Sequence, residues 1–237
     1  MCPLNRGQFN TFKQENDFDL FKSQARTIIY KRLSQFTVLG DGQQFHDETR
    51  KFLDLFDVEE QLHIIEIVEK FELHSTLNRE DDNLSSRRVL FSCLNQLCTF
   101  TESILRYNLN TPGQLGSLID EFVRVNRPNP WTKFYCRAKK SKQKIFYSPN
   151  YVEFNRNLRY IKRKSENNVS RSIAKYFLYL YCVRNFAGHH FTVKHRRSEF
   201  LFRFSKYRST AMLNVEFTFW SIFGSLWYIY RFFQSHS

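Results

Sequence analysis

Apolar residues return every three or four positions along most of this chain, the spacing that places them on one face of a helix. Phe18, Phe21, Ala25, Ile28, Ile29, Leu33 and Phe36 predict a first amphipathic helix that ends before Gly40-Asp41-Gly42, after a polar arm over residues 1 to 16. Phe45, Thr49, Phe52, Leu53 and Phe56 predict a shorter second helix. Asp57 followed by Glu60 is a capping box for a third, running to about Leu73 with Val58, Leu62, Ile65, Val68 and Phe71 inward and Glu59, His63, Glu66 and Lys70 outward. Asn78 to Ser86 is charged and poor in apolar residues, which predicts a loop.

A long helix then carries Val89, Leu90, Cys93, Leu94, Leu97, Phe100, Thr101, Ile104 and Leu105, and ends at Asn108 to Asn110. Thr111 as N-cap, Pro112 at the first helical position and Gln114 beyond them predict the start of the next, with Leu115, Leu118, Ile119, Phe122 and Val123 inward and a stop at Arg127-Pro128-Asn129-Pro130. Ser148-Pro149 opens a helix whose Val152, Phe154, Leu158 and Ile161 face in. Ile173, Tyr176, Phe177, Leu180 and Val183 place another over Ser170 to Gly188. From Ala211 to Phe233 the chain is apolar on nearly every face, but its uninterrupted core, Phe217 to Tyr230, is shorter than the roughly twenty residues of a spanning helix. That segment is expected at the centre of a bundle or in a dimer interface rather than in a membrane. Twenty-six Phe, 12 Tyr and 3 Trp against 7 Gly and 5 Pro agree with long elements around large rings. The fold class is therefore all-α, a helical bundle.

Two stretches interrupt the pattern. Between Trp131 and Tyr147 aromatic residues alternate with bases around Lys139, Lys140, Lys142 and Lys144, as a short basic β-hairpin or a loop would. Phe200 to Phe204 suit a short strand or the bent start of a helix.

Charge changes the picture, because it is not spread evenly. Residues 1 to 123 hold 13 Lys and Arg against 19 Asp and Glu, residues 124 to 164 hold 13 against 1, and residues 165 to 237 hold 10 against 3. The chain thus reads as an acidic region, 1–123, and a basic region, 124–237, forming one continuous bundle. A polyanion would meet the basic part. Lys139, Lys140, Lys142, Lys144, Arg156, Arg159, Lys162, Arg163 and Lys164 are the candidate RNA contacts, with Trp131, Phe134, Tyr135, Phe146 and Tyr147 available to stack on unpaired bases. The bland alternative is a solvated helix face whose last-turn cations complement the helix dipole.

Other chemistries find little footing. Five scattered cysteines, Cys2, Cys93, Cys98, Cys136 and Cys182, form no CxxC pair, and Met1-Cys2-Pro3-Leu4 is no secretory leader, so free thiols in the cytoplasm are expected. Glu60-x-x-His63 is half of a di-iron motif whose second half is missing. There is no His-x-x-x-His, no glycine-rich phosphate loop and no serine-hydrolase signature, and neither a metal nor a cofactor is expected.

What remains is the end of the Ser170 to Gly188 helix, Val183-Arg184-Asn185-Phe186-Ala187-Gly188-His189-His190. Arginine-x(4 to 6)-histidine alone is weak, since 21 arginines and 7 histidines give about two chance matches, of which Arg231 and His236 are one. Requiring Asn, Asp or His directly after the arginine leaves only Arg184-Asn185-x-x-x-His189. This stretch resembles the motif of the HEPN superfamily of helical-bundle ribonucleases, over roughly the last half of the chain. The resemblance implies Arg184 and His189 as the catalytic pair, Asn185 as the residue orienting the histidine, and a homodimer in which two motifs form one metal-independent RNA-cleaving site. It also implies a toxin or antiviral defence role, with a protein inhibitor or activator as a further partner. The tyrosine that some toxin members carry past the histidine is replaced here by His190, Phe191, Thr192, Val193 and Lys194.

The chemistry of the residues agrees. RNA cleavage needs a base for the 2′-hydroxyl, charge on the pentavalent phosphate and an acid for the leaving oxygen. A histidine serves as base or acid near neutral pH, and an arginine offers a planar fork to phosphate oxygens. A second histidine must come from another subunit, or from His190 or His195 as auxiliaries. The alternative is a non-catalytic RNA- or protein-binding bundle, with Arg184 and His189 merely capping a helix C-terminus.

Overall fold

The computed structural model describes residues 15–34, 42–81, 84–126, 151–164, 167–188 and 215–235. These form eight α-helices and one 3₁₀ turn, with no strand among the described residues, so the all-α expectation holds. In chain order the helices are α1 (Glu15–Leu33), α2 (Gly42–Lys51), α3 (Val58–Asp81), α4 (Leu84–Leu109), α5 (Leu115–Val125), α6 (Tyr151–Lys164), α7 (Asn168–Gly188) and α8 (Val215–Gln234). The chain divides into two compact units, Met1–Cys93 and Leu94–Ser237, with the division inside α4.

In the first unit α1 packs on α2 and α3. Ala25, Ile29 and Leu33 supply its buried face, against Thr49, Phe52, Leu53 and Phe56 from α2 and the 3₁₀ turn Phe52–Leu55. The expected capping box is present: the Glu60 amide donates to Asp57 Oδ1 at 2.8 Å and the Asp57 amide to Glu60 Oε2 at 3.3 Å. Two expectations for α3 are corrected. Its buried face runs through Gln61, Ile64, Ile65, Val68, Phe71 and Ser75, while Val58 in the opening turn is 60% exposed. The helix also continues past Leu73 to Asp81 and α4 already begins at Leu84, so most of the anticipated loop from Asn78 to Ser86 is helical. No Gly or Pro interrupts that stretch, and Leu, Arg and Glu sustain a helix without an apolar stripe.

The second unit is built on α7 and α8, with α5 and α6 also packed against α7. Ile173, Tyr176, Phe177, Leu180 and Val183 are buried as expected, and so are Ala174, Leu178, Tyr179 and Cys182, so α7 is covered on most sides. Its partner α8 is buried from Thr218 to Trp227 without a break. Its apolar residues are thus covered within one chain, which answers the choice between bundle centre and dimer interface for most of the segment. No helix among the described residues is long and apolar enough to cross a membrane.

Rings tie these helices together. Phe122 of α5 stacks on Phe177 of α7 at 5.6 Å and meets Phe232 of α8 edge-on at 5.1 Å, while Tyr179 touches Phe154 of α6 at 5.2 Å and Phe217 of α8 at 5.6 Å. Gly224 lets the two central helices come close, because a Cβ there would lie 3.2 Å from the buried Tyr176 ring.

The turn into α5 also differs from expectation. The helix starts at Leu115 with Gln114 as N-cap, and Thr111 instead donates its hydroxyl to the Leu109 carbonyl at 2.9 Å. Asn110 at φ 46° and Gly113 at φ +155° explain the delay, since neither conformation belongs to a right-handed helix. Leu115, Leu118, Ile119, Phe122 and Val123 are nevertheless all buried. In α6, Phe154, Leu158 and Ile161 face in and Arg156, Arg159, Lys162, Arg163 and Lys164 are exposed, as the pattern predicts.

Candidate functional site

Arg184 sits on the last full turn of α7, which ends at Gly188 as the sequence suggests. Its side chain does not cap that helix end. Its Nε donates to Glu102 Oε2 of α4 at 2.6 Å, and the other carboxylate oxygen, Oε1, accepts from an Nη of Arg106 at 2.9 Å. Glu102 is only 6% exposed. A carboxylate that deep is tolerable because each of its oxygens meets a guanidinium. Arg106 also reaches the Gly113 carbonyl at 3.1 Å, and so links α4, the turn into α5 and, through Glu102, the motif helix.

Glu102 was missed in the sequence, where it is one acid at the edge of the α4 apolar stripe. The available signal was its i, i+4 spacing to Arg106, which is common on any helix. Nothing in one dimension connects it to Arg184, 82 positions away.

The contact defines what Arg184 can do. A single Nε bond uses one of the five N–H groups of the guanidinium, and the side chain remains 29% exposed. Held by its inner nitrogen, the group is oriented without being consumed. Around it the wall is inert: Cys98 Sγ–H points to the Leu180 carbonyl at 3.9 Å, and burial raises the Cys98 thiol far above its ordinary range. Away from Arg184, burial likewise pushes Cys93 up to about 12, and Cys182 of α7 is buried and in no disulfide. Inert core thiols are what the scattered spacing suggested.

The remaining motif residues are placed only in part. Asn185 continues α7, but its side chain, like all of His189, His190, His195 and His236, lies outside the described residues. So do Lys139, Lys140, Lys142, Lys144, Cys2, Cys136 and the segments 131–147 and 200–204. Among the described residues no group of His, Cys, Asp or Glu could hold a metal ion. Glu60 belongs to the α3 capping box, and His63 stands on that helix's partly exposed side. Comparison with protein-family models, with curated proteins and with solved structures returns no match, so the site is read from its own residues.

Proposed function

We propose that the protein is a metal-independent endoribonuclease of HEPN type that cleaves single-stranded RNA in the cytoplasm through attack of the substrate's own 2′-hydroxyl. The observation that carries this reading is the hold on Arg184. A buried carboxylate fixes its Nε near the end of α7, five positions before His189 in the chain, and the rest of its planar fork stays available to a phosphate. His189 then moves the proton, Asn185 orients its ring, and Arg184 stabilises the charge of the pentavalent phosphate. A second histidine comes from another copy of the chain, giving a homodimer with a composite site, while His190 and His195 are the auxiliaries within one chain. Such an enzyme suits a toxin or an antiviral effector, and a protein inhibitor or activator would control it.

A second reading draws on the same contact. If Glu102 is neutralised by Arg184 and Arg106 for stability alone, the motif is structural and the protein is an RNA-binding module that uses the exposed cations of α6. One gel separates the two. Wild type, His189→Ala, Arg184→Lys and His236→Ala are incubated with single-stranded RNA, with the matching DNA, and with and without chelator. The enzyme reading expects RNA but not DNA to be cut in chelator, leaving 2′,3′-cyclic phosphate ends. It expects His189→Ala to lose at least about 10²-fold in rate, and Arg184→Lys to lose turnover with its fold intact by circular dichroism, because lysine keeps the charge and lacks the fork. His236→Ala should be silent. Full activity in His189→Ala, or cleavage only with added divalent metal, hands the site to the binding module.

A further inference from the structure

A second cationic cluster lies where α6 ends and α7 begins. Lys162, Arg163 and Lys164 close α6, and α7 starts four residues later, packed against it. Arg171 is in the first turn of α7, its amide bound to the Asn167 carbonyl at 3.1 Å, and Lys175 follows one turn on, on the same face. Arg171 and Lys175 are half-buried, and Lys162 is exposed beside them. Burial, then Arg171, then Lys162 push the Lys175 ammonium below its ordinary range. The Nε of Arg171 is buried without a hydrogen-bond partner among the described residues. No carboxylate among the described residues pairs with any of the three.

Each feature is unfavourable in the free protein. Three like charges repel, Arg171 stands in the first turn of a helix where the backbone dipole is already positive, and a buried N–H goes unmet among the described residues. One anion between the helices relieves all three at once. We propose that Lys162, Arg171 and Lys175 form a binding site for a phosphate group of a single-stranded RNA backbone. Arg159 and Arg163 are exposed on the same helix as Lys162, one turn or less away, so a ligand with repeated phosphates gains contacts that a mononucleotide cannot. This site rests on the reading of the basic half as RNA-facing and is independent of cleavage.

The test uses the full chain carrying His189→Ala, so that RNA stays intact. Anisotropy of a labelled 12-nucleotide single-stranded RNA with a 5′-hydroxyl is followed between about 50 and 200 mM salt. Arg171→Ala and Lys175→Gln should each weaken binding roughly tenfold and lower the salt slope by about one. Arg88→Ala, an exposed cation of the first unit, should change neither, and circular dichroism confirms that each variant is folded. Wild-type affinity and slope in the folded double variant overturn the site while leaving RNA binding itself standing. Absence of any RNA binding by the parent protein overturns the RNA reading and the site together. Competition by UMP as strong as by the unlabelled oligonucleotide makes a mononucleotide the ligand and overturns the backbone assignment.

Discussion

The two compact units treat charge in opposite ways. In residues 1–93 the 16 acids outnumber the 12 bases, and several cations are held: Lys22 and Arg26 both hold Asp54, Lys70 holds Glu66, and Arg32 grips Glu72 through two bonds of 3.0 and 2.7 Å. Residues 94–237 carry 24 bases and 7 acids, so most cations there lack an acid of their own. Glu102 takes two of them and Glu121 takes Arg124, while Lys162, Arg171 and Lys175 stand together with none among the described residues. Unmatched charge of one sign destabilises a compact state and attracts a polyanion. The first unit has acids in excess of its cations, and the second has cations in excess of its acids.

The largest expected effect comes from breaking the exception. Glu102→Ala removes a buried acid from between two arginines, and losing one partner of a buried pair costs about 3 to 5 kcal/mol when the other is left dry. Here Arg106 is 46% exposed and Arg184 29%, so both regain water and the loss should fall to about 2 kcal/mol. Urea denaturation measures it, and a double-mutant cycle with Arg184→Ala should show coupling between the two positions. Additive losses would mean that Arg184 does not depend on Glu102 for its position.

That dependence shows where sequence reading stops. Periodicity located the long helices, because burial on one face leaves a mark every three or four residues. It failed where local geometry decides, at Gly113 and Asn110 before α5 and at the unbroken helical run past Leu73. At the site, the spacing from Arg184 to His189 was legible because its residues are neighbours in the chain. Glu102 and the grouping of Lys162 with Arg171 and Lys175 were not, since both arise from packing between helices. Lys162 was singled out for its charge alone, and neither Arg171 nor Lys175 was singled out at all.

Glu69 is the acid of the first unit that behaves unlike its neighbours. Burial alone raises its carboxyl to about 7. A carboxyl whose folded pKa lies above its unfolded one contributes stability at low pH, and that contribution is lost as pH rises from about 4.5 through 7. Glu69→Gln should therefore stabilise the protein at pH 8 by about 1 kcal/mol, after discounting for its partial exposure, and have little effect at pH 4.5. His74 works against this trend. Burial, with Lys70 next, lowers its pKa, so its contribution is present above about 6.5 and declines on acidification. A stabilisation by Glu69→Gln that is equal at both pH values would break the assignment.

A smaller effect of the same sign is expected in the second unit. Burial, Arg171 and Lys162 all disfavour the charged form of Lys175, so Lys175→Gln should raise the denaturation midpoint of the RNA-free protein slightly. The same variant should bind RNA less well. Opposite signs in the two measurements would mark a charge kept for a ligand, whereas a loss of stability would place Lys175 among the structural cations.

The smallest effect belongs to Arg124, which sharpens the comparison by being a paired cation inside the basic unit. It lies in the last turn of α5 with its Nε 2.8 Å from Glu121 Oε2, and its hydrogen bond holds the Glu121 carboxyl below the usual range. A depressed carboxyl contributes stability above its unfolded pKa and loses it as pH falls. The pair is open to water, however, and exposed pairs of this kind contribute almost nothing measurable. Arg124→Ala should thus return the Glu121 titration, followed by NMR, toward the ordinary range while leaving the denaturation midpoint at pH 7 where it was. RNA affinity should fall less than in Arg171→Ala, because Arg124 already has an acid to satisfy it and Arg171 has none among the described residues. Equal losses from the two replacements would show that RNA responds to the total charge of the second unit, whichever residues carry it, and the distinction between paired and unpaired cations would then lose its functional meaning.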